Sequence, residues 1–172
     1  MIISPIQNSG KFDLNWVQIR PKVSQKFGKN PAMYEPFGMK GHNGLDFGVP
    51  IGTPIYAPMD GVIKVIDSKS AGYGLHIKIR NSYKKLECVL GHLSRTDVKD
   101  GAKVIQGQKL GVSGNTGFST GPHLHAGLRT LRSSDKGVWG WDVENYNNGY
   151  FGYWDFSPYL ISWKGTIFNN NL

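Results

Sequence analysis

A chain of 172 residues has room for one domain with a substantial hydrophobic core, but not for a second of ordinary size. Charged residues make up 19% and glycine fills 23 positions, a profile of strands and tight turns; the single cysteine excludes a disulfide framework and a thiolate-rich metal site. The net charge of +8 favours polyanionic partners, yet without a zinc-finger cysteine pattern or a dense Lys/Arg run a nucleic-acid binder is a poor reading beside an anionic polymer or a plain basic surface.

Residues 1–22 read as an N-terminal extension, with Trp16, Val17 and Ile19 as candidate strand positions. The first ten residues lack the basic start and apolar run of a signal peptide, and no stretch of about 20 apolar residues offers a membrane span. Residues 23–27 are expected to form a short strand, followed by a loop to Gly41 that carries Tyr34.

Next comes Gly-His-Asn-Gly-Leu-Asp (41–46), with His42 and Asp46. Four residues of ideal strand would part that pair by about 13 Å, so the chain must bend for the two to act together, and Asn43-Gly44 is the dipeptide that bends most easily.

Beyond Asp46 the segments 53–57, 61–66, 73–80, 85–92 and 109–112 are short, rich in Ile, Val, Leu and Tyr, and separated by Gly, Pro and Asp. No helical period persists over a dozen residues, so the chain reads as mainly β with an antiparallel sheet, and 68–72 and 81–84 as hairpin loops. Alternation places His76 with Lys78 and Arg80 on a solvated face, outside any site. Cys88 alternates with Leu86 and Leu90 and reads as a small buried hydrophobe. His92 continues that face, which puts it at the strand's inner end, facing a central cleft or simply satisfied in the core. Residues 97–111 form a turn-rich connection.

Residues 113–121 are a Gly, Ser, Thr and Asn loop with little bulk, able to approach an extended peptide. It lacks the Lys-Ser/Thr ending and following helix of a phosphate-binding loop. Gly-Pro-His-Leu-His (121–125) then enters a strand. His123 and His125 share a face, their backbones about 6.6 Å apart, so two imidazoles can meet at one metal or one water, while Leu124, Ala126 and Leu128 form the apolar face. The aromatic run from Trp139 to Trp154 reads as a segment folded over apolar surface, and 161–172 as a fraying tail.

Three separated motifs carry a resemblance: His-x-x-x-Asp at 42–46, Gly-His-Leu-Ser at 91–94 and His-x-His at 123–125, with the flanks 44–63 and 114–125. In this order they resemble the LytM and lysostaphin type of zinc metallopeptidase, family M23, over roughly residues 23–129. The stretch 148–160 is similar to the closing segment of phage-type members. The resemblance implies a peptidase domain at 23–160, closed by 131–160, with a groove over the sheet. It implies one Zn²⁺ per chain held by His42, Asp46 and His125, with a water on the metal attacking a scissile carbonyl. His92 and His123 would assist, one as base and the other toward the oxyanion or leaving amine. Tyr34, Tyr73, Asn115 and Thr116 are the substrate-side candidates, although for the two tyrosines packing is the plainer reading.

The implied activity is hydrolysis of peptide crosslinks in bacterial peptidoglycan by a monomer, with anionic wall polymers as further partners. Action would be extracellular or periplasmic, after phage delivery, release by lysis or removal of a leader. The alternative is a catalytically inactive wall-binding or regulatory module of the same fold.

Overall fold

In the computed structural model the described residues are 12–13, 22–133 and 141–161. The strands are β1 (Phe12–Asp13), β2 (Lys22–Gln25), β3 (Leu45–Gly48), β4 (Pro54–Tyr56), β5 (Gly61–Asp67), β6 (Leu75–Asn81), β7 (Leu86–Gly91), β8 (Leu93–Thr96), β9 (Lys103–Val104), β10 (Lys109–Ser113), β11 (Leu124–Ser133), β12 (Trp141–Val143) and β13 (Leu160–Ile161). One helical turn, α1 (Pro31–Tyr34), runs into a 3-10 turn at Glu35–Phe37. The fold is mainly antiparallel β, as expected.

The large sheet runs β2-β3-β11-β7-β6-β5-β9, with β12 paired to the outer end of β11; β4-β10-β8 form a smaller sheet. β11 is the hinge of the design. Its alternation sends Leu124, Ala126 and Leu128 into one buried cluster with Leu90 of β7 and with Ile55 and Leu110 of the small sheet. The core therefore lies between the two sheets, and the opposite face of β11 is left for His125, Gly127 and Arg129.

That second face is covered, which corrects the expectation for His76. His76 is 4% exposed, its Nδ1–H donating to the Gly74 carbonyl at 2.8 Å, with the Tyr73 ring beside it. Farther along, Glu87 is wholly buried between Arg80 (Nε to Oε2, 2.5 Å) and Arg129 (Nε to Oε1, 2.8 Å). The C-terminal segment closes over these groups through buried Tyr153, as the aromatic run suggested, while Phe156 joins the core cluster. Trp139, the extension at 1–11 and 14–21, and 162–172 fall outside the described residues. Ile161, expected to begin a tail, instead pairs with Asp13. Among the described residues no helix is long and apolar enough to cross a membrane.

Candidate metal centre

Three strands of the large sheet bring the distant motifs together. β3 and β11 pair with Asp46 opposite His125, and β11 and β7 pair with His125 opposite Gly91. His42 lies just before β3, and the bend expected at 43–44 is present. Its glycine is needed for space rather than for a left-handed turn: a Cβ on Gly44 would lie 2.3 Å from the Ala126 carbonyl oxygen and 2.6 Å from Cε1 of His125.

His42 Nε2, Asp46 Oδ1 and His125 Nδ1 form a triangle with sides of 3.0, 3.0 and 3.1 Å. All three residues are buried. The Nδ1–H of His42 donates to the Lys26 carbonyl at 3.2 Å, because a carbonyl can only accept; the neutral ring therefore presents a lone pair at Nε2. Burial would raise the Asp46 carboxyl, but the hydrogen bond from His125 and the two imidazoles beside it outweigh that and hold the group well below the usual carboxylate range. Burial pushes the His125 imidazole down to about 4, so it is neutral near pH 7.

Lone pairs and an anion thus converge where one proton can serve only part of the set. His125 Nε2 is buried and has no hydrogen-bond partner, so all of that ring's polar contacts are made on the Nδ1 side. A central cation resolves the conflict. Donor separations near 3 Å are close to the edge of about 3.3 Å in a tetrahedron with bonds of about 2.0 Å, and two imidazoles with a carboxylate suit a borderline cation. The three residues can hold a metal ion.

His92 and His123 are arranged differently. His92 Nδ1–H donates to the Thr116 carbonyl at 2.7 Å, and His123 Nδ1–H to the Gly121 carbonyl at 2.7 Å. Each neutral ring therefore carries its free lone pair at Nε2, and His123 Nε2 lies 3.6 Å from Asp46 Oδ2. The two rings are 4.4 Å apart. Burial lowers the His92 imidazole to about 4. His92 reaches this place by a route that alternation does not describe. Leu90, two residues earlier, faces the core, but His92 has φ of +62° and breaks β7 from β8, turning its ring to the site face.

A cavity of about 440 Å³ opens over these groups, with Tyr34, Tyr73, His92, His123 and the exposed ring of Phe118 in its lining. Phe37 and Phe118 meet with centroids 5.2 Å apart, joining the α1 region to the 113–121 loop. Tyr34 lies beside His42 (centroids 5.5 Å) and accepts a hydrogen bond at its hydroxyl from Gln25 Nε2 at 2.8 Å. Burial and the nearby Asp46 push the Tyr34 phenol up to about 12, against the hydrogen bond from Gln25.

Two of the substrate-side candidates have their side chains engaged elsewhere. Thr116 is a brace: its hydroxyl donates to the Leu93 carbonyl at 2.8 Å and accepts from Leu75 N at 3.0 Å. Asn115 accepts from Ser119 Oγ at 2.7 Å; neither side chain belongs to the cavity lining. The hairpin loop at 81–84 is likewise absent from the lining, whereas Gly72 of the other hairpin loop is present. Gln25 escaped the sequence reading because β2 carries an irregularity between Val23 and Gln25, which period two does not encode.

A model of peptidase family M23 matches residues 40–137. Among curated proteins, peptidoglycan DD-endopeptidase ShyA of Vibrio cholerae is 48% identical over 84 residues, covering 49% of this chain and 19% of its own. The chain spans only 19–27% of the length of the first curated relatives it matches. Among solved structures, the catalytic domain of the antimicrobial peptidase lysostaphin from Staphylococcus simulans superposes with a TM-score of 0.61 at 29% identity, over 80% of this chain and 90% of that one. A zinc-containing peptidase from Vibrio cholerae superposes with a TM-score of 0.56 at 31% identity, over 69% of this chain and 36% of that one.

Proposed function

The chain belongs to peptidase family M23, and from that premise we propose that it is a zinc-dependent endopeptidase that hydrolyses peptide crosslinks of bacterial peptidoglycan, with residues 23–160 as its catalytic domain. The observation that carries this reading is the buried triangle of His42 Nε2, Asp46 Oδ1 and His125 Nδ1 beside a groove. The endopeptidase relatives support the substrate, and the zinc-containing neighbour supports the choice of ion.

These three atoms would hold one Zn²⁺. A bound zinc ion makes a water acidic enough to attack near neutral pH and polarises a carbonyl. The remaining steps belong to protein groups. His92 and His123 each keep Nδ1–H on a loop carbonyl and present Nε2 to the groove, so the pair can take the attacking water's proton and return it to the departing amine. Water oxygen bonds to the carbonyl carbon, the C–N bond breaks, and the transferred proton ends on the new amine. Tyr34 receives a hydrogen bond from Gln25 at its oxygen, which leaves its own proton to donate to the developing oxyanion. Tyr73 turns its hydroxyl inward and offers only a ring to the groove.

The surface charge of +8 adds affinity for anionic wall polymers that weakens with salt. An inactive module of this fold fits less well, because both the triangle and the histidine pair are intact. The deciding experiment is mass spectrometry of fragments released from purified peptidoglycans of differing crosslink chemistry. New peptide termini at crosslinks, abolished by a chelator and restored by zinc, are expected; intact crosslinks in every preparation contradict the proposal.

A further inference from the structure

The site face of the large sheet is floored by two glycines on neighbouring strands, and a tyrosine lies on each. A Cβ on Gly91 of β7 would come 3.2 Å from Tyr73 Cβ, and one on Gly127 of β11 would come 2.9 Å from two ring carbons of Tyr153. The two hydroxyls lie close enough to influence one another. Tyr73 then touches three parts of the centre. Its ring stacks on His125 with centroids 4.7 Å apart and planes 28° apart. Its hydroxyl accepts from Asn43 Nδ2 at 2.6 Å, next to His42. Its carbonyl accepts from the backbone N–H of His92 at 2.8 Å.

Tyr153 is anchored from the other side. The Arg129 guanidinium lies 4.8 Å from its ring centroid and is paired with buried Glu87, while Arg129 Nη1 also donates to the Phe151 carbonyl at 3.2 Å. Tyr153 is 2% exposed and lies outside residues 40–137, the part of the chain that matches the family.

We propose that Tyr73 and Tyr153 are a pair of positioning residues through which the segment 141–156 sets the orientation of His125 and of the loop bearing His42, and so tunes the affinity of the centre for its metal. The inference rests on the reading of His42, Asp46 and His125 as metal ligands. Stacking fixes the tilt of the ring that offers Nδ1, and the two hydroxyl contacts fix the place of Tyr73. Groups that orient ligands without touching the ion commonly change metal affinity about 10–100-fold when removed.

The test is zinc affinity of the full chain, measured by competition with a chelator of known strength, beside the thermal midpoint of each metal-free protein. Tyr73→Leu is expected to weaken zinc binding by about 10-fold or more. Tyr73→Phe keeps the ring on His125 and recovers most of that loss. Tyr153→Phe shows a small loss alone and none further in the Tyr73→Phe background, because its hydroxyl acts on the centre only through the hydroxyl of Tyr73. Ile63→Val, a buried substitution in the core on β5, serves as the comparator: its midpoint falls while its zinc affinity stays within about threefold of the parent.

Zinc affinity unchanged in Tyr73→Leu, or reduced as much in Ile63→Val, overturns the proposal. So does full additivity of Tyr73→Phe and Tyr153→Phe, and this isosteric cycle decides the matter if Tyr73→Leu does not fold. A parent chain that binds no stoichiometric zinc removes the metal reading itself. A parent that binds zinc while all the tyrosine variants match it removes only the positioning pair.

Discussion

The histidines of this site fall into two sets that are held in opposite ways. His42 and His125 lie against Asp46, deep in the sheet, with their functional nitrogens turned toward one another. His92 and His123 lie on the loop side, each tied by Nδ1–H to a carbonyl, with His123 Nε2 3.6 Å from Asp46 Oδ2. The first arrangement crowds lone pairs around one point and is suited to hold a cation; the second keeps two ring nitrogens outside the triangle and is suited to carry protons. The groove draws its chemistry from placing the two sets side by side.

The division is most exposed to a loss on the ligand side. Asp46→Asn should reduce bound zinc to a small fraction per chain and turnover by about 10⁴-fold, the several kcal/mol supplied by a catalytic metal. Elemental analysis together with fragment release from peptidoglycan checks both; retained zinc with full activity would merge the two sets. His123→Ala should keep most of its zinc while losing about 10²–10⁴-fold in turnover, the range for one acid–base group. Loss of metal in that variant would move His123 into the ligand set.

Tyr34→Phe removes one hydroxyl from the groove and should lower kcat by roughly 10–100-fold with little change in KM, as expected for a donor engaged in the transition state. A rise in KM alone would make Tyr34 a substrate contact. The smallest effect concerns a histidine outside both sets. Burial holds the His76 pKa below its ordinary 6.5. The unfolded chain therefore binds that proton more readily, and stability is lost as pH falls through about 6.5 toward the lowered folded value. His76→Gln should show a smaller drop in urea midpoint between pH 7 and pH 5 than the parent, and equal drops would contradict the assignment.

Much of this was legible in the chain because it depends on local periodicity. Leu124, Ala126 and Leu128 alternate with His125 along β11, and the two sides of that strand separate core from chemistry as period two requires. The bend between His42 and Asp46 followed from distance alone. What stayed hidden depends on where other elements lie. His76 alternates with charged residues, but Tyr73 covers the face it occupies. His92 turns to the groove through a left-handed backbone that alternation does not foresee. Thr116 and Asn115 sit in a loop of the right composition, yet Thr116 ties that loop to β6 and β8, and Asn115 accepts from Ser119 within it. Tyr153 lies against β11 because Gly127 leaves a bare patch of strand beneath it.

The central claim is that one cation sits among His42, Asp46 and His125, with His92 and His123 beside it and off the metal. An anomalous difference map from crystals of the zinc-loaded protein, collected at the zinc absorption edge, tests this directly. A single peak about 2 Å from His42 Nε2, Asp46 Oδ1 and His125 Nδ1 is the result expected. A peak bonded to His92 or His123, or none at the triangle, would contradict the account.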